Sequence, residues 1–186
     1  ERDFIARVDR AGRTEPVGLP GAGFSSYQMY STMTYTKGSL VLRMLRDMLG
    51  EEVFREGLRR YYRDYRFRNV TRADFRRAME QVSGRDLGWF FEQWLDTTAW
   101  LDFAVEGAAI EGEPGDFTVT ARVSRRGDAW MPVVVRAGDA RATIESRDRT
   151  VTVTLHPTTR PDAVVVDPAG SLLDADRSNN RAPIAP

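Results

Sequence analysis

The sequence predicts an α+β chain, an antiparallel α-helical subdomain followed by a small antiparallel β-sandwich. Two observations carry this reading. Between Thr34 and Asp96 the apolar residues recur at helical spacing. After Thr97 the period falls to two, as in Leu101, Phe103 and Val105, then Phe117, Val119, Ala121 and Val123, then Val151, Val153 and Leu155. The change of period sets a boundary near Ala99 and hence two domains, 1–98 and 99–186.

Residues 1–28 read as a polar, helix-compatible stretch followed by a loop, because "EPVGLPGAGFSS" is dense in Gly and Pro. The first long helix then presents Leu40, Val41, Met44, Leu45, Met48 and Leu49 on one face and stops at Gly50. A second starts near Glu51, where acids suit the positive end of a helix. It is expected to turn Phe54, Leu58, Tyr61, Tyr62 and Tyr65 inward and its arginines outward. Thr71 with Asp74 forms a capping-box pattern that opens a third helix, carrying Phe75, Ala78, Met79 and Val82 inward and ending at Gly84. A fourth, from about Asp86, buries Leu87, Phe90, Phe91, Trp94 and Leu95.

In the second half, "RRGDAW" and "RAGDAR" each offer a Gly-Asp pair between strands, a hairpin signal. "MPVVV" and "DAVVVD" are apolar enough for buried strands. Six or seven strands with a turn every 8–12 residues suit a sandwich. The tail "RSNNRAPIAP" is expected to be loose.

Composition narrows the function classes. The 27 basic and 27 acidic residues cancel, so no global charge favours nucleic acid or a membrane surface. Lys37 is the one lysine; every other basic residue is arginine. There is no cysteine, which removes disulfides and thiolate chemistry. No apolar run is long enough to span a bilayer. The opening "ERDFIARVDRAGR" lacks both an initiator Met and a signal-peptide core, and the chain is expected to begin inside a longer protein.

Three constellations read as structure. His156, the only histidine, precedes Pro157 at a strand end and is a surface turn residue; one His without Cys builds no zinc site. "DADRSNN" echoes a calcium loop but has Asn179 where the turn glycine belongs and Ala185 where the last carboxylate belongs, so it reads as a solvated turn. In residues 51–80 nine arginines face six acids, an excess of +3, too small to argue for phosphate binding over a solvated helix face.

The stretch "MYSTMTYTKGSLVLRML" places two phenols, Tyr30 and Tyr35, at the entry to the first long helix. They can be rim packing with wet hydroxyls. Alternatively, Tyr35 at a helix mouth, near free backbone N–H groups, is a hydrogen-bond donor suited to a developing oxyanion.

The order of motifs from Tyr30 onward resembles the segment after the zinc site in the M1 family of zinc aminopeptidases, the gluzincins. Tyr30, Tyr35, Lys37 and Gly38 match a Tyr-x4-Tyr-x-Lys-Gly pattern. Leu49-Gly50, Phe54, Asn69-x-Thr71-x-x-Asp74 and Phe90-Phe91-x-x-Trp94-Leu95 follow in the family's order. "VVVDPAGSLLDADRSNN" resembles the end of the β domain of bacterial members. The resemblance implies that the chain is the C-terminal part of a peptidase that removes N-terminal residues from peptides. It implies Tyr35 as the donor to the oxyanion of the tetrahedral intermediate, Tyr30 beside the substrate, and a structural role for Lys37-Gly38. It implies Zn2+ in the parent, held by an H-E-x-x-H segment that this sequence lacks. Alone, the chain is then expected to bind no zinc and to be inactive, with the N-terminal remainder of the same protein as its partner. A non-catalytic scaffolding module from the same fold is the alternative. No nucleic acid and no membrane insertion are expected, and the bacterial relatives favour an exported over a cytoplasmic location.

Overall fold

The computed structural model describes residues 1–184. The chain divides into two compact units. Glu1–Ile5 and Ala11–Thr98 form one; Ala6–Arg10 and Ala99–Pro186 are grouped in the other.

The opening helix is α1 (Arg2–Arg10). The helical unit then contains α2 (Tyr27–Ser31), α3 (Gly38–Leu49), α4 (Glu51–Tyr65), α5 (Arg72–Ser83) and α6 (Gly88–Phe91). Two π-helical turns interrupt this pattern. Thr32–Lys37 joins α2 to α3 without a break, and Glu92–Asp96 extends α6. The core gathers Met33, Leu40, Val41, Met44, Leu45, Ala78, Met79, Leu87, Phe90 and Trp94, all buried. Gly50 ends α3 at φ 87°, and Gly84 ends α5 in the left-handed region, as the sequence predicts. The capping box of α5 forms: the Asp74 carboxylate accepts from the Thr71 N–H at 2.9 Å and the Thr71 hydroxyl at 2.8 Å.

The inner face of α4 differs from expectation. Leu58 and Tyr62 are exposed, and Gly57 is buried instead. A Cβ at Gly57 would come within 2.4 Å of the Met79 sulfur, so α5 approaches α4 closely at that glycine. Choosing the apolar face by side-chain hydrophobicity misses a contact made by the absence of a side chain. The arginine face is solvated and locally neutralised. Arg55 pairs with Glu52, Arg59 with Glu56, Arg60 with Asp64 and Arg77 with Asp74.

The β unit holds seven strands in two antiparallel sheets, β1 (Phe103–Glu113), β2 (Asp116–Arg125) and β5 (Thr150–Leu155) in one, and β4 (Ala140–Ile144), β3 (Val133–Ala137), β6 (Ala163–Val166) and β7 (Arg181–Pro183) in the other. Alternation along each strand buries Val119, Ala121, Val123, Val153 and Leu155 from the first sheet and Val133, Val135, Ala137, Val164 and Val166 from the second.

Of the two Gly-Asp signals only "RAGDAR" makes a hairpin, β3 to β4, with Gly138 at φ 60°. "RRGDAW" lies where the chain leaves one sheet for the other. There Gly127 serves close approach: a Cβ would sit 2.0 Å from the Trp100 carbonyl oxygen. The hairpin between β1 and β2 is instead built on Pro114-Gly115, with Gly115 at φ 96°. The tail is not loose over its described part. Arg181–Pro183 pairs with β6, and Val166 N–H donates to the Asn180 carbonyl at 2.8 Å. The apolar run of β6 would otherwise present an unpaired edge. Ala185 and Pro186 lie outside the described residues.

"DADRSNN" is not a solvated turn. Asp174 is 3% exposed and accepts from the N–H groups of Phe103 (3.0 Å) and Asp176 (2.9 Å) and from Asn180 Nδ2 (3.3 Å). It ties this segment to the start of β1, beside Asp102, which accepts from Asn179 Nδ2 at 2.9 Å. Burial, more than the nearby Asp102 charge, pushes the Asp174 carboxyl up to about 6. Burial pushes Asp102 the same way. The folded state therefore holds a proton that the unfolded chain releases near its ordinary pKa. The resulting stability is full below that value and is lost as pH rises through about 6. Lowering the pH from about 7.5 to about 5 is expected to make Asp174 contribute about 1 kcal/mol. Urea unfolding at the two pH values, in the native chain and in Asp174→Asn, checks this. The acid-side gain should shrink in the variant.

Candidate active-site wall

The segment carrying both tyrosines is one continuous helix from Tyr27 to Leu49, widened at its centre. Ser26 is its N-cap, with its hydroxyl accepting from Met29 N–H at 3.1 Å. Tyr35 therefore does not sit at a helix mouth. It lies in the π-helical turn, about two turns past the free N–H groups and out of their reach. Sequence reasoning misses this because polar Ser25-Ser26 and the sparse apolar pattern of 27–37 look like loop. The capping serine is the available signal.

The π turn is closed by Gly38 N–H, which donates to the Met33 carbonyl five residues earlier. Such widenings are uncommon and recur at functional sites. Here Met33 and Lys37 point inward, 0% and 1% exposed, while Tyr35 is 63% exposed. The Lys37 ammonium donates to Thr14 Oγ1 at 3.0 Å, and the same hydroxyl donates to the Met33 sulfur at 3.4 Å.

Tyr30 is half-buried and precedes Tyr35 along the helix. The two rings meet edge to face, with centroids 5.9 Å apart. Phe24 and Tyr27 complete the cluster, at 5.5 and 6.1 Å from the Tyr30 ring. Gly21, Ala22, Phe24, Ser26, Tyr27 and Tyr30 line an open concavity of about 370 Å³. A side-chain hydrogen bond to Tyr35 is the largest cause holding the Tyr30 phenol above its ordinary pKa, followed by the charge that Tyr35 can carry.

Among the described residues no comparable chemistry gathers elsewhere. His156 is exposed, with Nδ1 3.3 Å from the Thr118 hydroxyl. No group of three or more described His, Cys, Asp or Glu residues is placed to hold a metal ion. The described residues therefore do not fit a zinc site. No helix among the described residues is long and apolar enough to cross a membrane.

Residues 11–94 match the peptidase family M1 domain. That segment belongs to peptidase family M1. Among curated relatives, the chain is 36% identical over 66 residues to aminopeptidase N of Lactococcus lactis, covering 36% of this chain and 8% of that protein. It is 37% identical over 68 residues to tricorn protease-interacting factor F2 of Thermoplasma acidophilum, covering 37% of this chain and 9% of the factor. Aminopeptidase N of Streptomyces lividans is 31% identical over 97 residues, 52% of this chain and 11% of that protein. The chain thus matches about a tenth of the length of these relatives. A crystal structure of Legionella pneumophila aminopeptidase A in complex with aspartic acid superposes with a TM-score of 0.62 at 18% identity, over 79% of this chain and 18% of that one. This likeness shows the fold, helices followed by antiparallel sheets.

Proposed function

We propose that this chain is the C-terminal part of a zinc-dependent M1-like aminopeptidase that hydrolyses N-terminal residues from peptides. Its helical unit supplies one wall of the cleft. Tyr35 donates its O–H to the oxygen that becomes negative as the first peptide carbonyl is attacked. Tyr30 lies beside the substrate, its ring edge to face against that of Tyr35. The observation that carries this reading is the position of Tyr35. It is an outward-facing phenol in a segment that matches family M1. The metal that the family implies supplies electrophilic chemistry from ligands that the described residues do not provide.

The surface of the helical unit supports a partner in the remainder of the same protein. Among the described residues nine large hydrophobics are exposed, and eight of them lie within residues 1–98, including Phe67 at 99% and Tyr62 at 67%. This apolar exposure is compatible with a covering body and equally with a second reading, a scaffolding module of the same fold without catalysis. The gene sequence upstream of Glu1 separates the two, since zinc ligands there support the enzyme and apolar replacements support the scaffold.

The chain alone is expected to turn over no aminoacyl-amide, with or without added Zn2+. A sensitive fluorogenic assay checks this, and zinc-dependent turnover by these 186 residues would overturn the assignment of the metal site to the remainder.

A further inference from the structure

The widened turn around Tyr35 needs an explanation of its own. A π turn is rare within an α-helix and persists where surrounding contacts over-determine it. Here its two inward residues converge on one hydroxyl. Thr14 Oγ1 accepts from Lys37 Nζ and donates to Met33 Sδ, so a single side chain ties the beginning and the end of the turn that brackets Tyr35. A lysine 1% exposed is costly unless its ammonium is hydrogen-bonded. The contact with Thr14 therefore restricts where the turn can lie.

The loop that carries Thr14 is itself pinned. Gly18 N–H donates to the Leu95 carbonyl at 2.8 Å, within the second π turn, Glu92–Asp96. A Cβ at Gly18 would come within 2.9 Å of that oxygen, so the loop lies flat against the second turn. Residues 14–18 thus connect the two irregular turns of the helical unit.

We propose that Lys37 and Thr14 are positioning residues for Tyr35: their hydrogen bond locks the π turn to the 14–18 loop and so fixes the direction of the Tyr35 phenol. Residues two apart fall on opposite sides of a helix, which makes Lys37 the inward anchor of the outward Tyr35. The inference deepens the reading of Tyr35 as a donor and rests on it.

The test has two arms, each using Thr14→Val and the double variant Thr14→Val/Lys37→Met. The double variant removes donor and acceptor together and leaves no buried ammonium behind. The first arm uses the full 186-residue chain and needs no turnover. Amide hydrogen exchange across Tyr35–Gly38 is expected to accelerate roughly 10–100-fold, the loss of one hydrogen bond to a charged group, with exchange in α5 unchanged. Folded variants with native exchange at Tyr35–Gly38 would overturn the proposal.

The second arm uses the full-length enzyme. The variants should lower kcat while KM holds, and should lower it no further in a Tyr35→Phe background. Effects that multiply across the two backgrounds would make Thr14 and Lys37 structural only. A Tyr35→Phe enzyme of normal rate would refute the donor reading by itself, while the first arm would still report whether Thr14 and Lys37 hold the turn.

Discussion

Tyr35→Phe in the full-length enzyme is expected to lower kcat by roughly 10²–10³-fold, about 2.7–4 kcal/mol, with KM little changed. The change deletes one oxygen from a ring that is 63% exposed, so the fold loses almost nothing. In the proposed role, what disappears is an O–H aimed at charge that exists only in the transition state, which places the expected loss on kcat. Tyr30→Phe should cost less. It alters a ring packed edge to face on Tyr35 and leaves the Tyr35 O–H in place. Steady-state kinetics on aminoacyl-amides with both variants separates the roles. A native rate in Tyr35→Phe would reduce the residue to packing, and equal losses in the two would show that the pair acts as one unit.

Arg125→Met is expected to destabilise the β unit by about 1–3 kcal/mol, because the buried Ala129 carbonyl loses its guanidinium donor and the Asp128 and Arg147 carbonyls lose theirs, while Gly127 keeps Arg149. Arg125 is 9% exposed. One guanidinium nitrogen donates to the carbonyls of Gly127, Asp128 and Ala129 at 3.0, 3.1 and 3.2 Å, and the other donates to the Arg147 carbonyl at 2.8 Å. These carbonyls belong to the crossing between the sheets and to the loop before β5, both outside the strand ladders. Desolvation, with Arg149 nearby, holds the Arg125 pKa below the ordinary guanidinium range. Lysine at this position keeps the charge but not the planar fork, and it should recover only part of the loss. Urea unfolding of native, Met and Lys chains gives the order expected, with native the most stable and Met the least. Equal midpoints for native and Met would mean that water replaces the guanidinium without cost.

The two cases differ in how far the sequence reveals them. Tyr35 is legible because a motif marks it, although the local reason, a helix mouth, does not hold. The helix begins at Tyr27, and the phenol is turned outward by a π turn that no periodicity reveals. Arg125 is invisible in the sequence. It sits in "RRGDAW", which suggests a two-residue hairpin, and nothing local distinguishes it from the exposed Arg126 beside it. Gly57, Gly127 and Asp174 escape notice for a related reason. Each is defined by what lies opposite it, Met79, the Trp100 carbonyl and the Phe103 N–H respectively.

By itself the sequence determined the change from helical to strand period, the ends of α3 and α5 at Gly50 and Gly84, the capping box at Thr71 and Asp74, and the membership of residues 11–94 in family M1. The caps and periods depend on neighbours a few residues apart, whose interactions are fixed by backbone geometry. Only the tertiary structure decided that the tail completes a sheet, that Asp174 is buried, and that Thr14 and Lys37 grip the turn carrying Tyr35. Those depend on groups distant in the chain meeting in space, where desolvation and close approach, not local propensity, set the energy.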